Sequence, residues 1–318
     1  MDIGHSVELN GSSHLSPISE EEAFGRSCGK ISWRSFGINP SDLELNLSSG
    51  SRPSVITGIL LNNVLGIDDS ARTNGIMADS ADIEGYFWDL TVGDRIHNLI
   101  SLTYQDGSQI VLTLVCPNSD CGEAMEVPVE RDALLGIQRE RDVDENITVS
   151  IRGETIILRK PTGRDQQQWL GASFSSPDEA ARAMIASLII ENKAFEEVDG
   201  TEGIVGTEHL GPMGTQGNQA ISEEMDLSPE WIGDIDEAME EADPLVNFTV
   251  AVTCPTCKHE SSHAVDLEGL ALSRLREKQH ILLRTVHMLA SHYHWTEEEI
   301  LSLPPWRRTY YLSLIGNQ

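Results

Sequence analysis

The sequence predicts an α+β fold organised around two short cysteine pairs. The first pair is Cys116 and Cys121, and the second, far downstream, is Cys254 and Cys257. Each pair follows an alternating, β-branched run and is followed by a shorter segment that can return as a strand. We therefore expect two β-hairpins with cysteines at their tips, and helical apolar periodicity near the C-terminus adds the α part.

Two such hairpins placed face to face would supply four thiolates in a tetrahedron, which is the arrangement that Zn²⁺ prefers. The spacing of Cys116 and Cys121 suits a zinc knuckle and is unusual for a redox pair. The sequence thus predicts a split zinc ribbon with one structural Zn²⁺ per chain, bound by Cys116, Cys121, Cys254 and Cys257. Four closed thiolate ligands leave no position open for water, so we expect no catalysis at this metal.

The downstream cysteine pair has a second interpretation. The spacing of Cys254 and Cys257 also occurs in thioredoxin-type dithiols, which makes a thiol–disulfide oxidoreductase the alternative function. In that class the dithiol normally opens a helix, whereas the residues from Lys258 to His263 are polar and have no apolar stripe. Local disulfides, which need an oxidising compartment, and reduced structural thiols are further alternatives. The spacing favours the metal.

Composition limits the functions that the chain can have. Its formal net charge is -29, which disfavours binding to nucleic acid or to an anionic membrane surface. No apolar run is long enough to span a membrane, and residues 1–5 lack the start of a signal peptide, so we expect a cytoplasmic protein. No nucleophile with its base, phosphate-binding loop or pair of catalytic carboxylates is evident. We therefore predict no catalytic residue, no enzyme activity and no small-molecule substrate.

Six segments differ in composition and pattern. Residues 1–84 are rich in Ser, Gly, Asn and Asp and are expected to be largely disordered, although Val55 to Leu65 could form a local helix. The other segments are a first zinc-knuckle half at 85–137, an inserted hairpin and helix at 138–198, an acidic, Gly-rich linker at 199–228, a helix and second zinc-knuckle half at 229–265, and a C-terminal helical region at 266–318.

The C-terminal region is predicted to bind partner proteins. Leucines recur every seven residues from Leu275 to Leu289, so one long helix should present a broad apolar face. Thr296 and Glu299 predict a capping box for a second, short helix, and a last helix follows Pro305. The residues expected to contact partners are Leu282, Val286, Leu289, Tyr293, Trp295, Trp306, Arg307, Arg308 and Tyr310.

Several motifs follow one another along the chain, namely Trp88 to Arg95, the Cys-Pro knuckles, Leu158 to Gly163, Ala242 to Pro244, and Val286 to Leu312. In this order they resemble a small family found in the gene clusters of phage-tail-like contractile injection systems and related phages. The family is similar to the baseplate hub-assembly proteins of T-even-type phages, chiefly in its C-terminal region. The resemblance spans about residues 86 to 316 and is strongest near the C-terminus. The long N-terminal segment lies outside it.

The resemblance implies a non-enzymatic assembly factor, chaperone or minor component of the baseplate of a contractile, phage-tail-like particle. Its partners would be baseplate or hub and spike proteins, held by the C-terminal helices on the zinc-ribbon framework. Such a protein would be cytoplasmic during assembly, and its retention in the finished particle is left open. The first knuckle departs from the usual form of the family by two extra residues, Asn118 and Ser119.

Overall fold

A computed structural model describes residues 8–9, 30–68, 80–141, 146–151, 154–194 and 229–316. Helices alternate with small antiparallel sheets along these residues, which confirms the mixed α+β class predicted from the sequence. The predicted acidic linker at 199–228 and the fifth cysteine, Cys28, lie outside the described residues.

The described strands are β1 Glu8–Leu9, β2 Lys30–Trp33, β3 Val64–Asp68, β4 Ile110–Val115, β5 Ala124–Val129, β6 Asn146–Ile151, β7 Glu154–Arg159, β8 Ile189–Ala194, β9 Thr249–Thr253 and β10 Glu260–Ala264. They pair in the orders β1-β9-β10, β2-β3, β4-β5 and β6-β7-β8, and all the pairs are antiparallel. The helices are α1 Ser41–Glu44, α2 Arg52–Asn63, α3 Ser80–Asp89, α4 Val92–Thr103, α5 Arg131–Arg141, α6 Gly163–Gly171, α7 Pro177–Leu188, α8 Pro229–Ala242, α9 Leu267–Tyr293, α10 Glu297–Ser302 and α11 Pro305–Ile315.

The two hairpins predicted around the cysteine pairs are present as β4-β5 and β9-β10. Strand β4 alternates strictly between buried and exposed residues, with Ile110, Leu112 and Leu114 facing the core. The second hairpin contributes Val250 and Val252 to the same core. Both hairpins are therefore anchored by their inward faces, and their tips are held in fixed positions.

The described part of the N-terminal segment corrects the expectation of disorder. Helix α2 begins after the N-cap Ser51 and buries Ile56, Ile59 and Leu60 completely in the main core, where it packs against α3 and α4. These three positions lie on one helix face, because the second and third follow the first by three and four residues. The local helix expected from Val55 to Leu65 is thus present within α2. The expectation of disorder was wrong for the other described residues of 30–68, which the averaged composition of residues 1–84 did not distinguish.

This correction predicts a mutational effect. Replacing the fully buried Ile59 with alanine should destabilise the protein by about 2–5 kcal/mol, since the surrounding core cannot fully close the cavity. The matched change Leu65→Ala, at a side chain that is 67% exposed, should stay within about 0.5 kcal/mol. Urea unfolding of both variants checks this, and wild-type stability for Ile59→Ala would show that α2 is not part of the core.

The inserted segment forms a second core. Strands β6 and β7 make the predicted hairpin, β8 joins as a third strand, and α7 and α8 pack over the sheet. Helix α8 contributes the predicted face of Trp231, Ile232, Ile235 and Met239 to this core. Strand β8 and helix α6 were not foreseen from the sequence.

Three of the family-like motifs converge where the inserted unit meets α4. Thr91 forms a β-bridge with Thr162, and the backbone N–H of Gly163 donates to the carbonyl of Leu90. The buried Asp243 accepts from the backbone N–H of Gly93 at 3.0 Å. Segments far apart in sequence are thus locked together by buried polar contacts, which satisfies the need of buried polar groups for partners.

The C-terminal helices form a third, smaller core. The first half of α9 packs on α4, and its second half is covered by α10 and α11. Thr296 and Glu299 form the predicted capping box at the start of α10. Within the described residues, none of the helices combines the length and the apolar composition needed to cross a membrane.

Candidate metal centre

The four predicted ligands meet at one point between the two hairpin tips. The Sγ atoms of Cys116 and Cys257 are 3.6 Å apart, and those of Cys121 and Cys254 are 3.8 Å apart. All four sulfurs lie within 4.8 Å of one another. Each close pair joins one hairpin to the other, so the cluster belongs to neither hairpin alone.

These distances fit a metal, and none of the four cysteines forms a disulfide in this structure. A disulfide requires a sulfur–sulfur distance of about 2.0 Å, and all four cysteines are free. Zinc–thiolate bonds of about 2.3 Å in a regular tetrahedron place the sulfurs about 3.8 Å apart. The four-sulfur donor set and its spacing therefore suit one Zn²⁺, and the cluster could hold such an ion with little movement of the thiols.

The two tips share one backbone design. The backbone N–H of Cys116 donates to the carbonyl of Glu123, and that of Cys254 donates to the carbonyl of His259. The residue after the second cysteine is left-handed in both tips, with φ of 59° at Gly122 and 60° at Lys258. These turns aim both sulfurs of a tip the same way. The first tip accommodates its two extra residues between its cysteines.

Asn118, one of these extra residues, contributes to the site in a way that sequence reasoning missed. Its side-chain Nδ2 lies 3.8 Å from the Sγ of Cys257 on the opposite tip. Its Oδ1 accepts from the backbone N–H of Asp120, which fixes the amide in this orientation. The Asn118 side chain, which belongs to the first tip, therefore contacts the second tip directly. The only signal in the sequence was the irregular length of the first tip.

Burial and hydrogen bonding affect the thiols of the cluster differently. Cys116 and Cys254 are buried, whereas Cys257 is exposed. The backbone N–H of Cys257 is the largest influence on the pKa of the Cys254 thiol, which is lowered to about 7. The backbone N–H of Asn118 favours the Cys116 thiolate, but burial and the three neighbouring thiols outweigh it and raise the pKa of Cys116 to about 12. Four thiolates this close would repel one another, and a divalent cation held between them could compensate their charge.

A redox dithiol is less well matched by this arrangement. Cys254 follows the end of β9 and does not open a helix, and its sulfur lies 3.8 Å from Cys121 on the other hairpin. The lowered pKa of Cys254 would suit either a ligand or a nucleophile. The oxidoreductase alternative therefore stays a prediction, for which loss of insulin reduction in a Cys254→Ser variant would be the supporting observation.

The predicted partner-binding residues have two different environments. Leu282, Val286 and Leu289 are buried within the chain, as is Arg308, whose guanidinium donates to the carbonyl of Gly37 at 3.1 Å. The rings of Tyr293 and Trp295 stack at 4.7 Å and are partly buried in the same core. Only the exposed members of the set can reach another protein without rearrangement of this core.

Trp306 and Tyr310 are the exposed members of the predicted set. Their side chains are 69% and 59% exposed, and they lie one helical turn apart on α11. Arg307 is half-buried and donates to the hydroxyl of Tyr311 at 3.1 Å. Leu314, one turn further, is also exposed and extends the stripe. Trp306, Tyr310 and Leu314 therefore form an exposed aromatic stripe on α11.

The fold and the site define an α+β protein whose four-cysteine cluster could hold one metal ion. Residues 98–271, more than half of the chain, match the family described as T4 bacteriophage base plate protein. The chain belongs to this family, which confirms the resemblance to T-even-type baseplate proteins. The matched residues include both cysteine pairs and end within α9. No curated protein and no solved structure gives a significant match.

Proposed function

We propose that the chain is a non-enzymatic assembly factor or minor component of the baseplate of a contractile, phage-tail-like particle. The observation that carries this proposal is the family membership of residues 98–271, which implies a structural role and contact with other baseplate components. The partners are hub, spike or other baseplate proteins, met in the cytoplasm during assembly. Retention in the finished particle would follow if the partner keeps the chain bound.

One structural Zn²⁺ gives this protein its framework. The ion would be held by Cys116, Cys121, Cys254 and Cys257 and would supply the positive charge that joins the two hairpin tips. The sulfur spacing of 3.6–3.8 Å between tips supports this role. All four protein ligands are thiolates, so no coordination position is left for a reacting water. The split zinc ribbon is therefore a scaffold in this proposal.

The aromatic stripe of Trp306, Tyr310 and Leu314 is the proposed partner contact. Exposed tryptophan and tyrosine side chains are the residue types that contribute most energy to protein interfaces. The buried leucines of α9 support the stripe from beneath, because they hold α11 against the long helix. They position the contact surface and do not form it.

Affinity capture tests this function. The intact chain, co-expressed with the baseplate proteins of its own particle, should retain at least one of them, and Trp306→Ala with Tyr310→Ala should reduce retention at least about tenfold. Leu170→Ala, at another exposed apolar side chain on α6, is the matched control and should change nothing. Point substitutions are preferable to truncation before Asp266, because α9 contributes Leu272 and Leu275 to the main core.

Two results would argue against the proposal. If the intact chain retains no baseplate protein and its absence leaves particle assembly unchanged, the assembly role is wrong. If capture survives the double aromatic substitution, the role stands but the stripe on α11 is not its contact.

A further inference from the structure

A cleft opens on the inserted unit, far in sequence from the C-terminal stripe. It has a volume of about 280 Å³ and lies between α7, α8 and the start of β6. Its lining is mainly apolar and includes Trp169, Met184, Ile185, Leu188, Ile232 and Met239. Four of these side chains, Trp169, Met184, Ile232 and Met239, are only partly buried. Apolar concavities that keep such side chains accessible are typical binding sites.

The rim of the cleft is acidic. Asp236 and Glu240 of α8 line it, and neither forms an ion pair with any residue in the described part of the chain. Helix α8 contains no lysine or arginine. The apolar wall and the unpaired carboxylates lie side by side. A complementary ligand must therefore combine apolar groups with positive charge.

The charge of the rim argues against two other occupants of the cleft, which are a segment of the same chain and a second copy of it. Residues 195–228, which connect β8 to α8, contain eight acidic residues and no lysine or arginine, so they carry the wrong sign for this rim. A second copy of the chain, with its net charge of -29, would be repelled as well. The remaining occupant is a different, basic polypeptide.

We propose that the cleft binds a basic amphipathic helix of a partner protein. Its apolar side chains would enter between α7 and α8, and its lysine or arginine side chains would pair with Asp236 and Glu240. Helices that lay an apolar face into a groove and are oriented by charges at its rim are a recurring form of peptide recognition. The identity of the partner as another baseplate component rests on the proposed function, but the chemistry of the cleft does not.

Synthetic peptides test the cleft directly. A four-turn helical peptide with leucine on one face and lysine on the other should bind the full-length protein, as followed by fluorescence anisotropy. A leucine/glutamate peptide and a serine/lysine peptide of equal length should not bind, because each lacks one of the two required properties. Raising the salt concentration should weaken binding of the first peptide.

Paired charge reversals on one helix locate the site. Asp236→Lys with Glu240→Lys should lower the affinity for the leucine/lysine peptide at least tenfold. Asp234→Lys with Glu237→Lys makes the same change in net charge on the same helix at exposed residues that do not line the cleft, and should leave the affinity within about twofold. Met239→Gln should weaken binding through the apolar wall without any change of charge.

Several outcomes would overturn the proposal. Equal weakening by the two charge reversals would mean general attraction to an acidic protein. Binding that appears only after deletion of residues 199–228 would assign the cleft to that segment, and a dimer dissolved by Asp236→Lys with Glu240→Lys would assign it to a second copy. Failure of the peptide to bind, while the intact chain still captures baseplate proteins, would remove the cleft and leave the proposed function standing.

Discussion

Replacing Cys254 with serine is expected to abolish metal binding and to weaken the connection between the two hairpin tips. Cys254 is fully buried and joins the second tip to Cys121 of the first. Structural zinc contributes about 10–16 kcal/mol of apparent binding free energy in small zinc folds. Even a fraction of this, about 4 kcal/mol, would lower the melting temperature by about 6 °C in a chain of 318 residues.

Two measurements on the same sample check this result. Elemental mass spectrometry should find one zinc per wild-type chain and none in Cys254→Ser, and thermal unfolding should show the loss of stability. Cys28→Ser removes the one cysteine that belongs to neither pair in the sequence, and should match the wild type in both measurements. A metal-free wild-type protein with the stability of its Cys254→Ser variant would contradict the structural zinc site.

The cysteine cluster is the part of the fold that local sequence patterns predict best. Strands β4 and β9 alternate in burial as their sequences predict, and each tip carries its cysteines at a spacing that a turn can close. Once both hairpins exist, their inward faces share one core, and that core places the tips together. The clustering of the four cysteines could therefore be predicted from sequence, whereas the contact from Asn118 to Cys257 depends on how the tips meet.

The partner surface shows where the patterns stop being sufficient. The apolar face of α9 is visible in the sequence, but a helix periodicity does not reveal what covers the face. In the structure α10 and α11 fold back over Leu282, Val286 and Leu289, so these residues serve the chain itself. Only side chains such as Trp306, which point away from that contact, remain open. Whether an apolar residue is covered or exposed is decided by tertiary packing, which the spacing of residues along one helix does not show.

The junction between α4 and the inserted unit also depends on tertiary contacts that local sequence patterns do not show. Substitution of one of its glycines is expected to have the second large effect. Gly93→Ala should destabilise the protein by about 3–5 kcal/mol. A Cβ atom at this position would overlap the Asp243 carboxylate, which lies against the backbone N–H of Gly93. That carboxylate also accepts from Gln138 at 2.6 Å and is buried, so it cannot move aside into water.

Gly136→Ala is the matched control for this prediction. Gly136 lies within helix α5, and nothing comes within 4 Å of an added Cβ atom there. Because alanine favours a helix interior over glycine, this variant should be as stable as the wild type or up to about 1 kcal/mol more stable. Urea unfolding separates the two variants, and equal stability of Gly93→Ala and the wild type would show that the junction can relax.

A double substitution distinguishes crowding from a general loss of helix α4. If the overlap with Asp243 is the cause, adding Asp243→Gly to Gly93→Ala should cost less than the sum of the two single changes, because both remove the same contact. Zinc content should stay at the wild-type level in all three variants, since the junction is separate from the four cysteines. In that case, the role of the family-like motifs at this junction is to join the two cores by polar contacts. The residues that make these contacts are Gly93, Gly163 and Asp243.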